Sequence, residues 1–504
     1  MNKFKSKLKS VLPSDQRSEF FAYRIASVAL FFTLLTTASA QTSGPLRQNQ
    51  DNPAYFADAN GKAVYLTGSH TWNSLQDMDA GNPPSPFDFD AYLDFLERHH
   101  HNFIRLWRWE QASWDLTASF PFDTDSKKVL AVGPHPWART GEGSAFDGKP
   151  KFNLEQFDPE FFERLLARVQ AANKRGIYVS VMLFEGWELS NMNWISHPFN
   201  KTNNVNGING DPNDDGKGSE MHTLAIPAVL KLQEAYVRHV IDTIGQMDNV
   251  LFEIANESGD YSTEWQYYMI RYIKNYEATK PKQHPVGMTF QWAKGNFNQV
   301  TDTMLFESPA DWISPRRDGM DGETYRTNPP VADSKKVILL DTDHLWGIGG
   351  NVNWVWKSFL RGYNPIFMDP YDNKVLGKVQ PQQWDSLRQA LGQTRRLAER
   401  LNLARMKPLP DLASSKYCLA DPGNNYVVFV PEGGRVSVNL STTNELNVEW
   451  IQPVEGTNVV GKPVMGGETL EFKSPLQGAS ILYLHKNSQS KSKFIKCNQL
   501  NKIL

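Results

Sequence analysis

Cysteine is almost missing from this chain: Cys418 and Cys497 are the only two in 504 residues. That excludes a disulfide framework, so stability must come from a large apolar core. An excess of one charge is also missing. Lys and Arg total 53 against 55 Asp and Glu, a net charge of −2, which offers nothing to nucleic acid or an anionic membrane. Beyond the N-terminal segment, no apolar run approaches the roughly twenty residues that a bilayer span needs. Two catalytic signatures are missing as well. Gly68-Ser69-His70-Thr71-Trp72 is the wrong sequence for a dinucleotide turn after the first strand, and no Gly-x-Ser-x-Gly elbow occurs. No cofactor is therefore expected.

The first forty residues read as an export signal. Lys3, Lys5, Lys7, Lys9, Arg17 and Arg24 form a positive region, Ile25–Thr37 is apolar, and Ala38-Ser39-Ala40 is a small-x-small cleavage site. The expectation is a signal peptide over residues 1–40, a periplasmic or extracellular mature protein, and no membrane span after cleavage. Asn487–Leu504 is rich in Lys, Ser and Asn with little periodicity, and is read as a disordered tail.

What the chain has is alternation and aromatics. Strand-like runs fall at Val64–Gly68, Phe103–Trp107, Ile177–Phe184, Val250–Ile254, Pro285–Phe290, Met304–Phe306, Val337–Leu340 and Pro365–Met368. Amphipathic helical stretches separate several of them: Phe89–His100, Pro159–Arg175, Ile226–Gln246, Tyr261–Thr279 and Gln382–Leu403. Eight strands alternating with helices predict a (β/α)8 barrel over residues 41–405, with irregular fifth and sixth units. A doubly wound open sheet is the alternative. After a two-proline linker, Met406–Leu412, short runs separated by Gly, Pro and Asn predict an all-β sandwich over 413–486. Asn52–Lys62, with its Asn60-Gly61 turn, predicts a hairpin capping the barrel floor.

In such a barrel, reacting groups sit where strands end. The predicted ends offer His70 and Trp72, then Arg105 and Trp107, Glu185 and Trp187, Asn256 and Glu257, Trp292, Glu307, Asp341 with Asp343 and His344, and Asp369. Carboxylates and tryptophans converge there, which is the equipment of a carbohydrate site: two carboxyl groups for glycoside chemistry and rings for stacking. Strands four and seven oppose each other, so Glu257 and Asp341 are placed to act together. Strand alternation leaves Asp343 open as the alternative. One His beside two Asp is poor evidence for zinc, and no metal is expected. Asp211, Asn213, Asp215 and Gly216 fit the start of a calcium loop, but position twelve is His222 rather than Glu. A long loop shaping one wall of the cleft is the expected role.

These residues resemble those of clan A glycoside hydrolases. Asn256-Glu257 matches the Asn-Glu pair that ends strand four in that clan, which implies Glu257 as acid/base. Lys335–Asp341 occupies the place of the run before the strand-seven nucleophile, with Asp for the usual Glu. The resemblance implies Asp341 as nucleophile, Arg105 as the arginine that keeps it ionised, and a retaining mechanism. TGSHTWNS (67–74), HNFIRLWRWE (101–110) and LLDTDHLWG (339–347) are closer still to a bacterial apiosidase-like subgroup. The C-terminal segment resembles a module named for collagen binding, whose expected role here is to brace the barrel. The function expected is cleavage of a poly- or oligosaccharide. The alternatives are a carbohydrate- or matrix-binding protein on an inactive barrel, and a metal-dependent hydrolase using Asp343 and His344.

Overall fold

The computed structural model describes residues 42–115, 129–190, 193–292, 302–316, 323–333, 335–376 and 380–486. The expected signal segment and tail lie outside these. Eight parallel strands form one sheet: β1 (Gly68–His70), β2 (Phe103–Leu106), β3 (Tyr178–Glu185), β4 (Val250–Asn256), β5 (Val286–Thr289), β6 (Trp312–Ser314), β7 (Val337–Asp341) and β8 (Asn364–Met368). Hydrogen-bonded neighbours run β1-β8-β7-β6-β5-β4-β3-β2, and β1 lies beside β2 to bring the sheet round on itself. Asn102 closes that seam, its side chain bonding backbone groups of Thr67 and Tyr65.

Helices α1 (Phe89–Arg98), α2 (Pro159–Lys174), α3 (Pro227–Ile244), α4 (Thr263–Glu277), α5 (Thr303–Glu307), α6 (Glu323–Thr327), α7 (Val352–Leu360) and α8 (Asp385–Ala398) follow the strands in turn. Local chemistry starts several of them. Asp88 accepts from Ala91 N, Asp158 accepts from Glu160 N ahead of Pro159, and Asn351 accepts from Trp354 N. The chain is therefore a (β/α)8 barrel.

Two strands differ from expectation. The first begins at Gly68, because Ala63–Val64 pairs with Phe56–Ala57 in a small antiparallel sheet that also includes Arg47–Gln48. The sixth is Trp312–Ser314. The Met304–Phe306 run lies within α5 instead, with Leu305 buried and Met304 and Phe306 half-buried. A three-residue apolar run cannot distinguish a strand from one helical turn, and the true strand is as short.

Strand alternation divides the barrel interior into levels. Phe103, Tyr178, Leu251, Trp312, Val337, Leu339 and Ile366 fill the lower level with apolar volume. Two residues further along the same faces come Arg105, Ser180, Glu253 and Asp341, all buried. The opposite faces, including Ile104, Val179, Phe252, Ile338 and Phe367, pack on the helices.

After the barrel, the main sheet contains β9 (Cys418–Asp421), β10 (Asn425–Val430), β12 (Glu445–Ile451) and β14 (Ser480–His485). The ribbon of β11 (Arg435–Asn439) with β13 (Thr469–Lys473) covers one face. This is the expected sandwich. The sheet's other face presents Leu419, Val427, Phe429, Ile451, Ile481 and Tyr483 to Trp356, Phe359 and Leu397 of the barrel and to Met406 of the linker. Burial on both faces explains why these strands read as continuous apolar runs.

Gly287 on β5 makes room for the Trp312 indole, which occupies the volume an added Cβ would take. Gly287→Ala should cost about 1–3 kcal/mol by overpacking. Denaturant unfolding measures this, and an unchanged midpoint would mean that Trp312 can shift freely.

Candidate active site

A cleft of about 790 Å³ opens where the barrel strands end. Trp72, Trp107, Trp187, Trp292 and Trp346 line it, with Asn256, Glu257, Asp343, His344, Arg316 and Arg326.

Beneath the floor lies Arg105, only 1% exposed. Its Nε donates to Glu253 Oε2 at 2.9 Å, Nη2 to Asn256 Oδ1 at 2.7 Å, and Nη1 to Asp341 Oδ2 at 3.0 Å and Asp343 Oδ2 at 2.9 Å. One guanidinium thus orients residues from β4 and from the end of β7. Its buried position would weaken its charge, but Glu253 and Asp341 outweigh burial and hold it firmly protonated. Trp107 Nε1 donates to His70 Nδ1 at 2.8 Å, and His70 Nε2 lies 3.0 Å from Asp341. An indole can only donate, so the His70 proton sits on Nε2, facing Asp341.

The end of β7 separates the two aspartates. Asp341 is fully buried, and its Oδ1 accepts from Asp343 N at 2.9 Å, capping the helical turn Thr342–Leu345. Asp341, paired with Glu257 in the sequence-based reading, does not line the cleft, whereas Asp343 does, beside Glu257. The cap holds Asp341 below the floor, and the turn it starts carries Asp343 to the surface of the cleft. Burial would raise Asp341, but His70 and Arg105 prevail and hold it well below the usual carboxylate range. Burial raises Asp343 to about 6, with Asp341 adding to the rise and Arg105 opposing it.

Glu257 faces Asp343. An oxygen of each carboxylate and a ring nitrogen of His344 all lie within 4.8 Å of one another. Glu257 adopts a left-handed φ of 46°, rare for a long side chain and worth about 1–3 kcal/mol of strain, a cost met at functional sites. Its N–H donates to Thr289 Oγ1 at 3.1 Å, and its Oε2 accepts from Trp292 Nε1 at 3.0 Å. Burial, then the Asp343 charge, raises Glu257 well above the ordinary range, with Arg316 opposing. His344 approaches Ser314 Oγ at 2.7 Å and Asn256 Oδ1 at 3.4 Å, so both ring nitrogens have partners. Burial holds it well below its ordinary value. The trio has the spacing of a metal site, but the histidine's nitrogens are already engaged.

Of the sequence-predicted residues, Trp72, Trp107, Trp187, Asn256, Glu257, Trp292, Asp343 and His344 line the cleft. Arg105, His70, Asp341 and Glu185 lie buried beneath it. Glu185 accepts from Trp187 N, Glu188 N and Asn256 Nδ2, and burial pushes it to about 8. It ties a wall tryptophan to the floor asparagine. Two residues stand apart. Asp369 is buried and accepts from Arg388 Nε at 2.8 Å, an internal pair with α8. Glu307 is exposed at the end of α5, because the strand it was expected to terminate is a helix. In the candidate calcium loop, Asp211 accepts from the N–H groups of Asp215 and Gly216, and His222 is buried against Trp265.

Sequence reasoning missed Glu253, Arg316, Arg326 and Trp346. Glu253 had a signal: a carboxylate inside an apolar strand, in phase with inward-facing Leu251. Arg316 was hidden by the misplacement of β6, two residues before it.

The comparisons agree on the fold. Residues 132–305 match a family profile described as a domain of unknown function, DUF6298. No curated protein matches the chain. A glycoside hydrolase family 5 protein from Bacteroides vulgatus superposes with a TM-score of 0.55 at 11% identity, covering 89% of this chain and 94% of its own. A glycoside hydrolase structure gives 0.53 at 11% identity, with 88% and 98% covered. At this identity the likeness is one of fold alone, the (β/α)8 barrel.

Arg105→Met should destabilise the protein by about 3–5 kcal/mol, because it strands buried carboxylates without their cation. A loss under about 1 kcal/mol in denaturant unfolding would show that Glu253 and Asp341 do not depend on it.

Proposed function

We propose that this protein is an exported retaining glycoside hydrolase, with Glu257 as acid/base and Asp343 as nucleophile. The observation that carries this reading is the approach of the two carboxylates within 4.8 Å in a tryptophan-lined cleft. Retaining enzymes hold their carboxyl groups about 5–5.5 Å apart, and inverting ones about 6.5–9.5 Å. The unequal environments assign the roles. Asp343, raised only to about 6 and held by Arg105, is ionised at neutral pH. Glu257, raised further, keeps its proton.

Glu257 protonates the glycosidic oxygen as Asp343 attacks the anomeric carbon. The C–O bond breaks and an ester to Asp343 forms. Glu257, now ionised, takes a proton from water, which displaces Asp343 and releases the sugar with retained configuration. Asn256, fixed by Arg105 and Glu185, presents its amide beside the reacting centre. Asp341 keeps His70 and Arg105 in place and touches no substrate. The signal-like N-terminus supports export, and the sandwich braces the barrel through α7 and α8.

Glu257→Gln should lower turnover of unactivated glycosides by about 10²–10⁴-fold. Turnover at the wild-type rate would remove Glu257 from the chemistry. Asp343→Ala should abolish turnover, and azide should restore part of it on an activated glycoside by filling the vacated space. Asp341→Ala should lose activity with no azide rescue; rescue there instead would return the nucleophile to Asp341.

The pH profile has a defined sign. Asp343 attacks only when ionised, so kcat/KM should rise with pH through about 6. Glu257 donates only when protonated, so the alkaline limb is its own and should vanish in Glu257→Gln. An acidic limb well below this, near an ordinary aspartate, would contradict the assignment of Asp343.

A further inference from the structure

We infer that Trp107 and His70 are positioning residues for the nucleophile: the indole fixes the imidazole, the imidazole fixes Asp341, and Asp341 fixes the turn that carries Asp343. This rests on the glycosidase reading and deepens it, because neither residue is a reacting group in that reading. Asp341 is the hub of the chain. Its Oδ1 accepts from Asp343 N at 2.9 Å and its Oδ2 from Arg105 Nη1 at 3.0 Å. Arg105 spares Asp341 only one N–H, because its others go to Asp343, Glu253 and Asn256. A carboxylate held by one donor on each oxygen can still pivot. His70 Nε2 removes that freedom: it stands 3.0 Å from each of the two oxygens, so its N–H points between them. Pivoting would take Oδ1 off Asp343 N and uncap the turn Thr342–Leu345.

The imidazole is itself fixed. Its Nδ1 accepts from Trp107 Nε1 at 2.8 Å, and the backbone carbonyl of His70 accepts from Asp369 N at 2.8 Å. With one ring nitrogen accepting and the other donating, a flipped ring would turn C–H groups toward both partners. Trp107 is anchored in turn. Its backbone N–H donates to Ser74 Oγ at 3.1 Å, its ring stacks on Trp109 with 5.1 Å between centres, and the Arg105 guanidinium carbon lies 4.8 Å from its ring centre. Trp107, His70, Asp341 and Arg105 are each no more than 1% exposed. A buried polar chain of this kind stabilises a protein less than apolar packing does, so its value lies in holding the group at its end in place. A misplacement of about 1 Å at the reacting centre costs about 10²-fold in rate.

Two substitutions at one site separate position from packing. His70→Asn leaves an oxygen for the Trp107 N–H but brings no donor to Asp341, whereas His70→Gln puts an N–H back near the place of Nε2. His70→Asn should lower kcat by about 10–10²-fold with KM little changed, and His70→Gln should recover most of the loss. A second readout needs no substrate: carbon NMR of protein labelled at its aspartate carboxyls. Asp343 should titrate at about 6 in the wild type and close to it in His70→Gln. In His70→Asn it should fall toward the ordinary aspartate value, because the uncapped turn relieves the burial that raises it. Arg105, Asp341, Glu257 and His344 surround Asp343 and are the same in both variants. Trp107→Phe, which keeps a ring over Arg105 and removes the N–H, should move Asp343 the same way. An Asp343 titration that neither His70→Asn nor Trp107→Phe moves, or an equal loss of kcat in His70→Asn and His70→Gln, would overturn the inference. If Asp343 shifts as expected while the wild-type protein cleaves no glycoside, the glycosidase reading fails and the chain that positions Asp343 stands.

Discussion

One buried cation organises this protein. Arg105 enters the barrel from β2 and binds Glu253 and Asn256 on β4, Asp341 at the end of β7, and Asp343 on the turn beyond. Burying a guanidinium alone is prohibitive, and burying three carboxylates alone is worse. Together they satisfy one another, and each fixes the others' orientation. Asn256 and Asp343 reach the cleft floor as consequences of that arrangement. Such clusters contribute less to stability than an apolar layer would, so their value lies in position. Here the apolar level beneath supplies the stability and the charged level supplies the geometry.

The same division of labour extends outward. Glu185 holds Trp187 and Asn256 together, and Trp292 is fixed between the β4 and β5 loops by backbone bonds to Ser258 and Asp260. Glu257 stands between these supports in a strained backbone conformation that they maintain. Further away, the C-terminal sheet buries one face on α7 and α8.

Much of this was legible in the sequence, and the parts that were not have physical reasons. The eight-fold alternation, the sandwich and the convergence of tryptophans and acids at the strand ends follow from period and composition. The longer helices read true because about four or five turns of amphipathic pattern average out local noise. β6 did not, because three residues carry no period. Glu307 and Arg316 then changed places, one predicted into the cleft and left outside, the other overlooked and found lining it. Asp341 against Asp343 was undecidable from alternation alone, because the choice depends on where β7 stops. The aspartate's own side chain stops it, by capping the next turn. Glu253 was visible as an acid in an apolar strand, but its partner became evident only once β2 and β4 shared a barrel interior.

The proposal that the turn after β7, rather than the strand itself, supplies the nucleophile is the central claim. A 2-fluoro glycoside with a good leaving group tests it, because fluorine slows release of the glycosyl-enzyme and lets it accumulate. Proteolysis and mass spectrometry then locate the sugar. The account predicts a single ester on Asp343. An ester on Asp341, or products of inverted configuration with no adduct, would contradict it.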